Sequence, residues 1–282
     1  MKKTLALMLA VLTVLGLLAG CAKEPAVTPD PTPTPTPSPT PDPVNPTPTP
    51  DPVKPAEPYT YYYVRSTEET TTNPHDSGAN PNINVTDRCA GMLYYYVPNE
   101  DGTAAKLVPI YAESEPTTTD GYLWTIKLRK DAKWATGEPI NADTWIYSFK
   151  MALDPNLYYG SGASVASNYI TIKGATDYYN SVAKKNGATW EDVGIKKVDD
   201  YTITVECTSK YTAEEVMRQF YLRYAGCVYE PLYSKCIAAD GMSCDYGTSL
   251  DKVKFAGMFY IDDWQKSAQI ILRRMKTGPA PT

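Results

Sequence analysis

Apolar and polar positions change their spacing several times along this chain, and each change marks the edge of an expected element. Leu5 to Gly20 is an unbroken run of apolar or small residues that follows Lys2 and Lys3. Between Pro25 and Pro58 no apolar period exists, because fifteen prolines recur there, mostly as Thr-Pro repeats with scattered Asp. Periodic patterning starts at Tyr59. Tyr59–Arg65 is dense in aromatic and β-favouring residues and predicts a strand. The polar stretch Ser66–Asn80, punctuated by Pro74 and Gly78, predicts a loop. A helix is expected over about Asn82–Leu93 and a strand over Tyr94–Val97. The turn Asn99–Gly102 precedes another extended piece around Leu107–Tyr111. Tyr122–Arg129 alternates, with Tyr122, Trp124, Ile126 and Leu128 on one face, which predicts a half-buried strand.

Downstream the period lengthens. Asn141–Asp143 opens a helix that places Trp145, Phe149 and Ala152 on one side, and Pro155 forces its end. Gly174–Lys184 reads as a weaker helix. Ile195–Asp199 and Tyr201–Cys207 predict a hairpin turning at Asp199-Asp200. Thr212 with Glu215 fits a capping box, whose hydroxyl and carboxylate each satisfy a free N–H, and starts a helix expected to reach about Tyr224. Two short strands are expected around Met258–Ile261 and Gln269–Arg273. This mixture, spread over the roughly 220 residues from Tyr59 onward, is enough for a sizeable core of α+β type.

The segments before Tyr59 carry a different message. A basic start, a short apolar run and small residues form the layout of a secretory signal over residues 1–20, too short for a comfortable membrane span. Leu17-Leu-Ala-Gly-Cys21 resembles the lipobox of bacterial lipoproteins, which implies cleavage before Cys21 and a lipid anchor in the membrane through its thiol. A plain signal peptide with an incidental cysteine is the alternative. Residues 21–58 then form a linker: proline fixes φ and removes a donor, so the stretch favours polyproline II, with a reach on the order of 100 Å if extended. Docking of a proline-reading partner is the rival reading for it.

Charge and reactive residues narrow the function by exclusion. The net charge of −5, from 27 basic and 32 acidic residues with no long run of either sign, shows no nucleic-acid footprint. Cys89, Cys207, Cys227, Cys236 and Cys244 make an odd set beyond Cys21. Cys236 and Cys244 could bridge a short loop, Cys227 competes equally well, and free buried thiols are the simplest reading. One histidine, His75, and no Cys-x-x-Cys make a zinc site improbable, and no cofactor motif is present. The sequence holds no Gly-x-Ser-x-Gly, no His-Glu-x-x-His and no Cys–His pairing, so the expectation is a binding module and not an enzyme.

Several pieces occur together in a recognisable order. Leu123–Trp134, then Gly137–Asp143, then Tyr147-Ser148 resemble the signature of the family 5 extracellular solute-binding proteins, the oligopeptide- and dipeptide-binding components of ABC importers. Asn73-Pro-His75, Asp87–Leu93, Ala112-Glu-Ser114 and the hairpin Val193–Val205 are similar to other parts of that family's sequence. Phe255–Trp264 resembles its Gly-Pro-Tyr turn, with Met258-Phe259 in place of Gly-Pro. The resemblance covers roughly residues 59–274. It implies a first lobe of type II periplasmic-binding-protein-like fold with its small extra domain, and, as partners, a peptide ligand and a membrane-embedded ABC permease. Family members are considerably longer, with two lobes closing over the ligand, so the resemblance implies that the second lobe is missing after a tail at 275–282. A chain of this extent is then expected to hold peptide weakly on its own.

The same resemblance assigns candidate ligand contacts. The loop after the first strand pairs its backbone with an extended peptide, and counting from Asn73 places Gly78, Ala79 and Asn80 there. Tyr158 or Tyr159, following the Asp154-Pro-Asn156 turn, is a candidate aromatic wall, whereas His75 is expected to be an ordinary loop residue. Trp124, Trp134 and Trp145 are read as packing anchors in preference to a sugar-stacking platform. The alternatives are another solute (a nickel complex or an oligosaccharide), a surface lipoprotein without a transport role, or an exported hydrolase.

Overall fold

The structure, a computed structural model, describes residues 60–62, 64, 68–76 and 83–275. The signal segment, Cys21, the proline-rich linker and the tail beyond Met275 lie outside the described residues. The chain divides into two units, 1–61 and 62–282, and only Thr60 and Tyr61 of the first are described.

The second unit is built around a four-stranded antiparallel sheet in the order β3-β4-β6-β5, comprising β3 (Thr117–Thr118), β4 (Leu123–Lys127), β5 (Ile195–Asp199) and β6 (Thr202–Glu206). Register follows the expected alternation. Trp124 faces Val205 and Ile126 faces Ile203, all four are buried, and Leu123 and Lys127 look outward. Tyr122 departs from that face. The Asp120 carboxylate accepts the N–H groups of Tyr122 and Leu123 at 2.8 and 2.9 Å, so the chain is still turning there. The Tyr122 ring consequently sits outside, under the Lys210 ammonium at 5.7 Å.

Helix α2 (Ala142–Ala152) lies against β5. Its first turn is capped by Asn141, whose Oδ1 accepts from Thr144 N. Trp145, Phe149 and Ala152 all turn into the core, as their spacing requires, and Pro155 follows the end. Trp124, Trp134 and Trp145 are all buried, so they are packing anchors and not an exposed platform. Helix α6 (Ala213–Tyr221) carries the expected capping box at Thr212 and Glu215. It stops three residues early because Leu222, at ψ 127°, leaves helical space, and Arg223–Ala225 form a separate 3₁₀ turn. The expected helix at 174–184 is two short pieces, α4 (Ala175–Tyr179) and α5 (Ser181–Lys184), broken at Asn180. The patterning missed α3 (Gly162–Ala166) and α7 (Glu230–Cys236), each too short to show a period, although Pro231 in the first turn of α7 is a start signal.

Two hairpins flank this body: β1 (Tyr94–Pro98) with β2 (Ala105–Pro109), and β7 (Phe259–Gln265) with β8 (Gln269–Arg274). Helix α1 (Ile83–Cys89) packs on the second of these through Val85, Cys89 and Ile261. The helix ends at Cys89, short of the expected Leu93. Beyond it Gly91 pairs with Cys227 in an antiparallel bridge, so close that a Cβ there would lie 2.8 Å from both Ala256 Cβ and Cys227 Sγ. The strand expected at Tyr59–Arg65 is not found on its described residues: Tyr61, Tyr62 and Val64 are exposed and carry no ladder. β-Favouring side chains make a strand only where a neighbour supplies hydrogen bonds and a surface to pack on. The five described cysteines are free, four of them buried.

The crowding at Gly91 yields a direct test. Gly91→Ala forces backbone or side-chain shifts in a filled core and is expected to lower stability by about 1–3 kcal/mol in urea unfolding. An unchanged midpoint would show that the α1–Cys227 approach is looser than described.

Candidate functional site

The segment Thr71–Asp76 begins as a tight turn made by its own side chains. Proline at 74 fixes φ, and the Asn73 side chain supplies the missing acceptor: Oδ1 takes the His75 N–H at 3.1 Å while Asp76 N donates to Asn73 O at 3.2 Å. Asn73 N donates in turn to Thr71 Oγ1 at 3.0 Å. Against expectation this polar loop is not solvated at its start, since Thr71, Thr72, Asn73, Pro74 and His75 are all buried. Burial is possible because distant parts of the chain meet its side chains and part of its backbone. Thr72 donates from N and Oγ1 to Gly247 O, at 2.8 and 3.2 Å, and Thr71 Oγ1 donates to Tyr246 O at 3.2 Å. Position 247 must be glycine for this: its φ is +81°, and a Cβ would lie 2.4 Å from Asn73 N.

A set of hydroxyls closes the other side. Tyr159 OH accepts from Asn73 Nδ2 at 3.1 Å and lies 3.0 Å from Tyr233 OH, which reaches His75 Nδ1 over a long 3.5 Å. His75 Nε2 donates to Gly226 O at 3.0 Å, which places the ring proton there, and Ser161 Oγ donates to His75 O. Burial pushes the Tyr159 and Tyr233 phenols and the neighbouring Cys244 thiol up, so all three stay protonated. Burial also pushes His75 down, to about 4, against the opposing pull of its bond to Gly226. At neutral pH the cluster therefore holds by hydrogen bonds between uncharged groups. Among the described residues no three His, Cys, Asp or Glu side chains gather as a metal site would need.

Of the residues expected to touch a ligand, Gly78, Ala79 and Asn80 lie outside the described residues, as does Cys21. Tyr158 is described. It is 48% exposed, has φ 44°, and stacks flat on Tyr179 with centroids 4.6 Å apart and planes 4° from parallel. Its neighbour Tyr159 turns inward and meets Asn73, five positions before Gly78. The turn at 158–161 thus touches the stem of the loop that resemblance marked as the contact segment. What the sequence reading missed is the support: His75, Ser161, Gly226, Tyr233 and Gly247. Only the Asn73-Pro74 turn signal pointed towards it, since the partners lie about 85 to 175 positions away along the chain.

The neutral His75 makes stability depend on pH. Between its ordinary 6.5 and about 4 the unfolded chain binds a proton that the folded ring refuses, so stability is held above 6.5 and lost as pH falls towards 4. Asp87 works in the opposite sense. Its burial raises it to about 6 despite Arg223 at 3.6 Å, so the folded state gains a proton first as pH falls below 6. The histidine's share is therefore read by difference. On going from pH 7.5 to 4.5, His75→Gln is expected to lose about 2 kcal/mol less than the unmodified chain in chemical unfolding; parallel losses would count against the buried neutral ring.

The sequence model described as bacterial extracellular solute-binding proteins, family 5 Middle, matches residues 106–277, more than half of the chain. The periplasmic oligopeptide-binding protein OppA of Escherichia coli K12 is 29% identical over 223 residues, which are 79% of this chain and 37% of that protein. The oligopeptide-binding protein OppA of Bacillus subtilis is 30% identical over 62% of this chain and 28% of its own length. Among solved structures, the substrate-binding domain of a Bacillus anthracis oligopeptide ABC transporter superposes with a TM-score of 0.63 at 22% identity, over 77% of this chain and 38% of that one. Listeria monocytogenes OppA bound to peptide does so with a TM-score of 0.59 at 26% identity, over 74% and 37%. The chain thus spans between 28% and 38% of the length of these relatives, and its α+β architecture is that of part of a solute-binding lobe. With the expected resemblance borne out along most of the described fold, this chain belongs to the bacterial extracellular solute-binding proteins, family 5.

Proposed function

We propose that this chain is the solute-capturing component of an ABC importer, that its cargo is oligopeptide or dipeptide, and that Cys21 carries the lipid that holds it at the extracytoplasmic face of the membrane. The observation that carries the reading is the likeness over 79% of the chain to an oligopeptide-binding protein. The fold likeness to an OppA solved with peptide bound supports it. The leader and linker composition supports the anchor, and no described helix is long and apolar enough to cross a membrane. In this reading Gly78, Ala79 and Asn80 offer their backbone to an extended peptide as an added strand would, which tolerates many side chains, and Tyr158 supplies an aromatic wall. A loop whose stem is fixed binds at a smaller ordering cost than one free at both ends. Relatives of this kind are nearly three times as long as the matched stretch, and full affinity needs the solute buried from more than one side. The residues of this chain alone therefore hold peptide weakly. The chemistry is capture and delivery, with no covalent step.

Isothermal titration of the full chain against mixed di- to pentapeptides is expected to show dissociation constants no tighter than about a millimolar, near 4 kcal/mol of binding free energy. Micromolar affinity would overturn the weak-binding reading, and no heat at all would overturn peptide capture. For the anchor, Cys21→Ala is expected to move the protein from the membrane fraction to the soluble one in the producing cell.

A further inference from the structure

Tyr158 has a combination of features that ordinary surface packing does not require. Its φ of 44° lies in the left-handed region, which a bulky side chain rarely occupies and which is retained only where the surroundings impose it. The surroundings here are specific. Tyr158 N donates to Asp154 O at 2.9 Å, and the Asp154 carboxylate is spent on the N–H groups of Asn156 and Leu157 at 2.8 and 3.1 Å. The inner face of the ring lies on Tyr179, a residue that is 5% exposed and whose own hydroxyl is fixed on Tyr159 O at 2.7 Å. The Tyr158 hydroxyl donates to Asn180 Oδ1 at 3.3 Å. One face and one edge are thus held, and the residue is still 48% exposed.

The geometry points to Tyr158 as a preorganised stacking platform that selects an aromatic ring on the incoming solute, deepening the capture reading by naming a side-chain preference. A ring arriving on the open face continues a stack whose first two members are already 4° from parallel. Neither Tyr158 nor Tyr179 has to give up side-chain freedom at that moment, which is how a rigid aromatic residue adds affinity with little ordering cost. The position suits selection: the next residue, Tyr159, holds Asn73 at the base of the proposed contact loop. The left-handed backbone at 158 serves the buried network through Tyr159, but that backbone alone does not call for a tyrosine, since glycine adopts it without strain.

The test rests on small probes, so that it stands or falls apart from peptide capture. N-acetyl-phenylalaninamide, N-acetyl-leucinamide and N-acetyl-argininamide are titrated at millimolar concentration into the full chain, followed by nuclear magnetic resonance of the Tyr158 and Tyr179 ring protons. The phenylalanine probe is expected to move both rings and to bind about fivefold tighter than the other two, a ratio within the range of an aromatic pair. Tyr158→Phe is expected to keep this preference. Tyr158→Gly is expected to abolish it while leaving the melting temperature unchanged or raised, because glycine relieves the backbone as the ring contact is lost. Equal response to leucine, equal response to arginine, or no response at all each overturns the platform. A clear fall in the melting temperature of Tyr158→Gly, with the preference intact, shows a purely structural residue and overturns it too. Peptide capture fails separately, if titrated peptides give no heat while the phenylalanine probe still moves the rings.

Discussion

Polar residues leave water at low cost only where their donors and acceptors find other partners, and the buried side chains of Thr71, Thr72, Asn73 and His75 each find one. Each group lost to solvent would otherwise cost about 1–3 kcal/mol if unmet. Here three distant parts of the chain converge to meet them: the 158–161 turn, the Gly226–Tyr233 stretch, and the Tyr246-Gly247 loop. The stem of the contact loop is therefore not an independent feature. Its conformation depends on the body being folded, and one of the segments that meet it, Gly226–Tyr233, is held in turn by Ser148, whose hydroxyl accepts from Val228 N at 2.9 Å. Fold and site share one hydrogen-bond network.

The family signature does a different job. Trp124, Trp134 and Trp145, with Ile126, Phe149 and Val205, share the main apolar cluster. Such positions are fixed by packing, in which a change of one methylene is felt. Contact residues sit on turns and loops carried by that centre, where substitution alters recognition more than folding. The carrying elements are well set: capped helices at Asn141 and Thr212, and a sheet register with Trp124 opposite Val205.

How far the sequence disclosed this follows the same division. Elements with a clear period and a cap were legible: β4 from its alternation, α2 from Asn141 and the Trp145–Phe149–Ala152 spacing, α6 from Thr212 and Glu215. Their ends were less so, because what ends them is tertiary. Gly91 stops an expected helix since its backbone must pass Cys227 and Ala256, and nothing local announces that. Tyr59–Arg65 looked like a strand because its side chains favour one, yet propensity cannot supply a neighbour. The loop stem was the least legible part. A window of Thr, Asn, Pro, His and Asp reads as solvent-facing in any local sense. Its burial follows from Tyr159, Tyr233 and Gly247, which no local pattern connects to it.

The pair Tyr158-Tyr159 shows how one backbone feature can serve both sides of the surface. Adjacent residues in helical or extended chain would diverge in a regular way, and neither arrangement here brings one ring onto Tyr179 and the next hydroxyl to Asn73. The left-handed residue at 158 redirects the chain so that Tyr159 turns in and Tyr158 stays out. Relaxing that residue would change the direction of Tyr159 as well, which would leave Asn73 Nδ2 and Tyr233 OH short of a partner. The strain is thus balanced by the buried network it makes possible. The outer ring takes its direction from the same turn and is held against Tyr179 and Asn180.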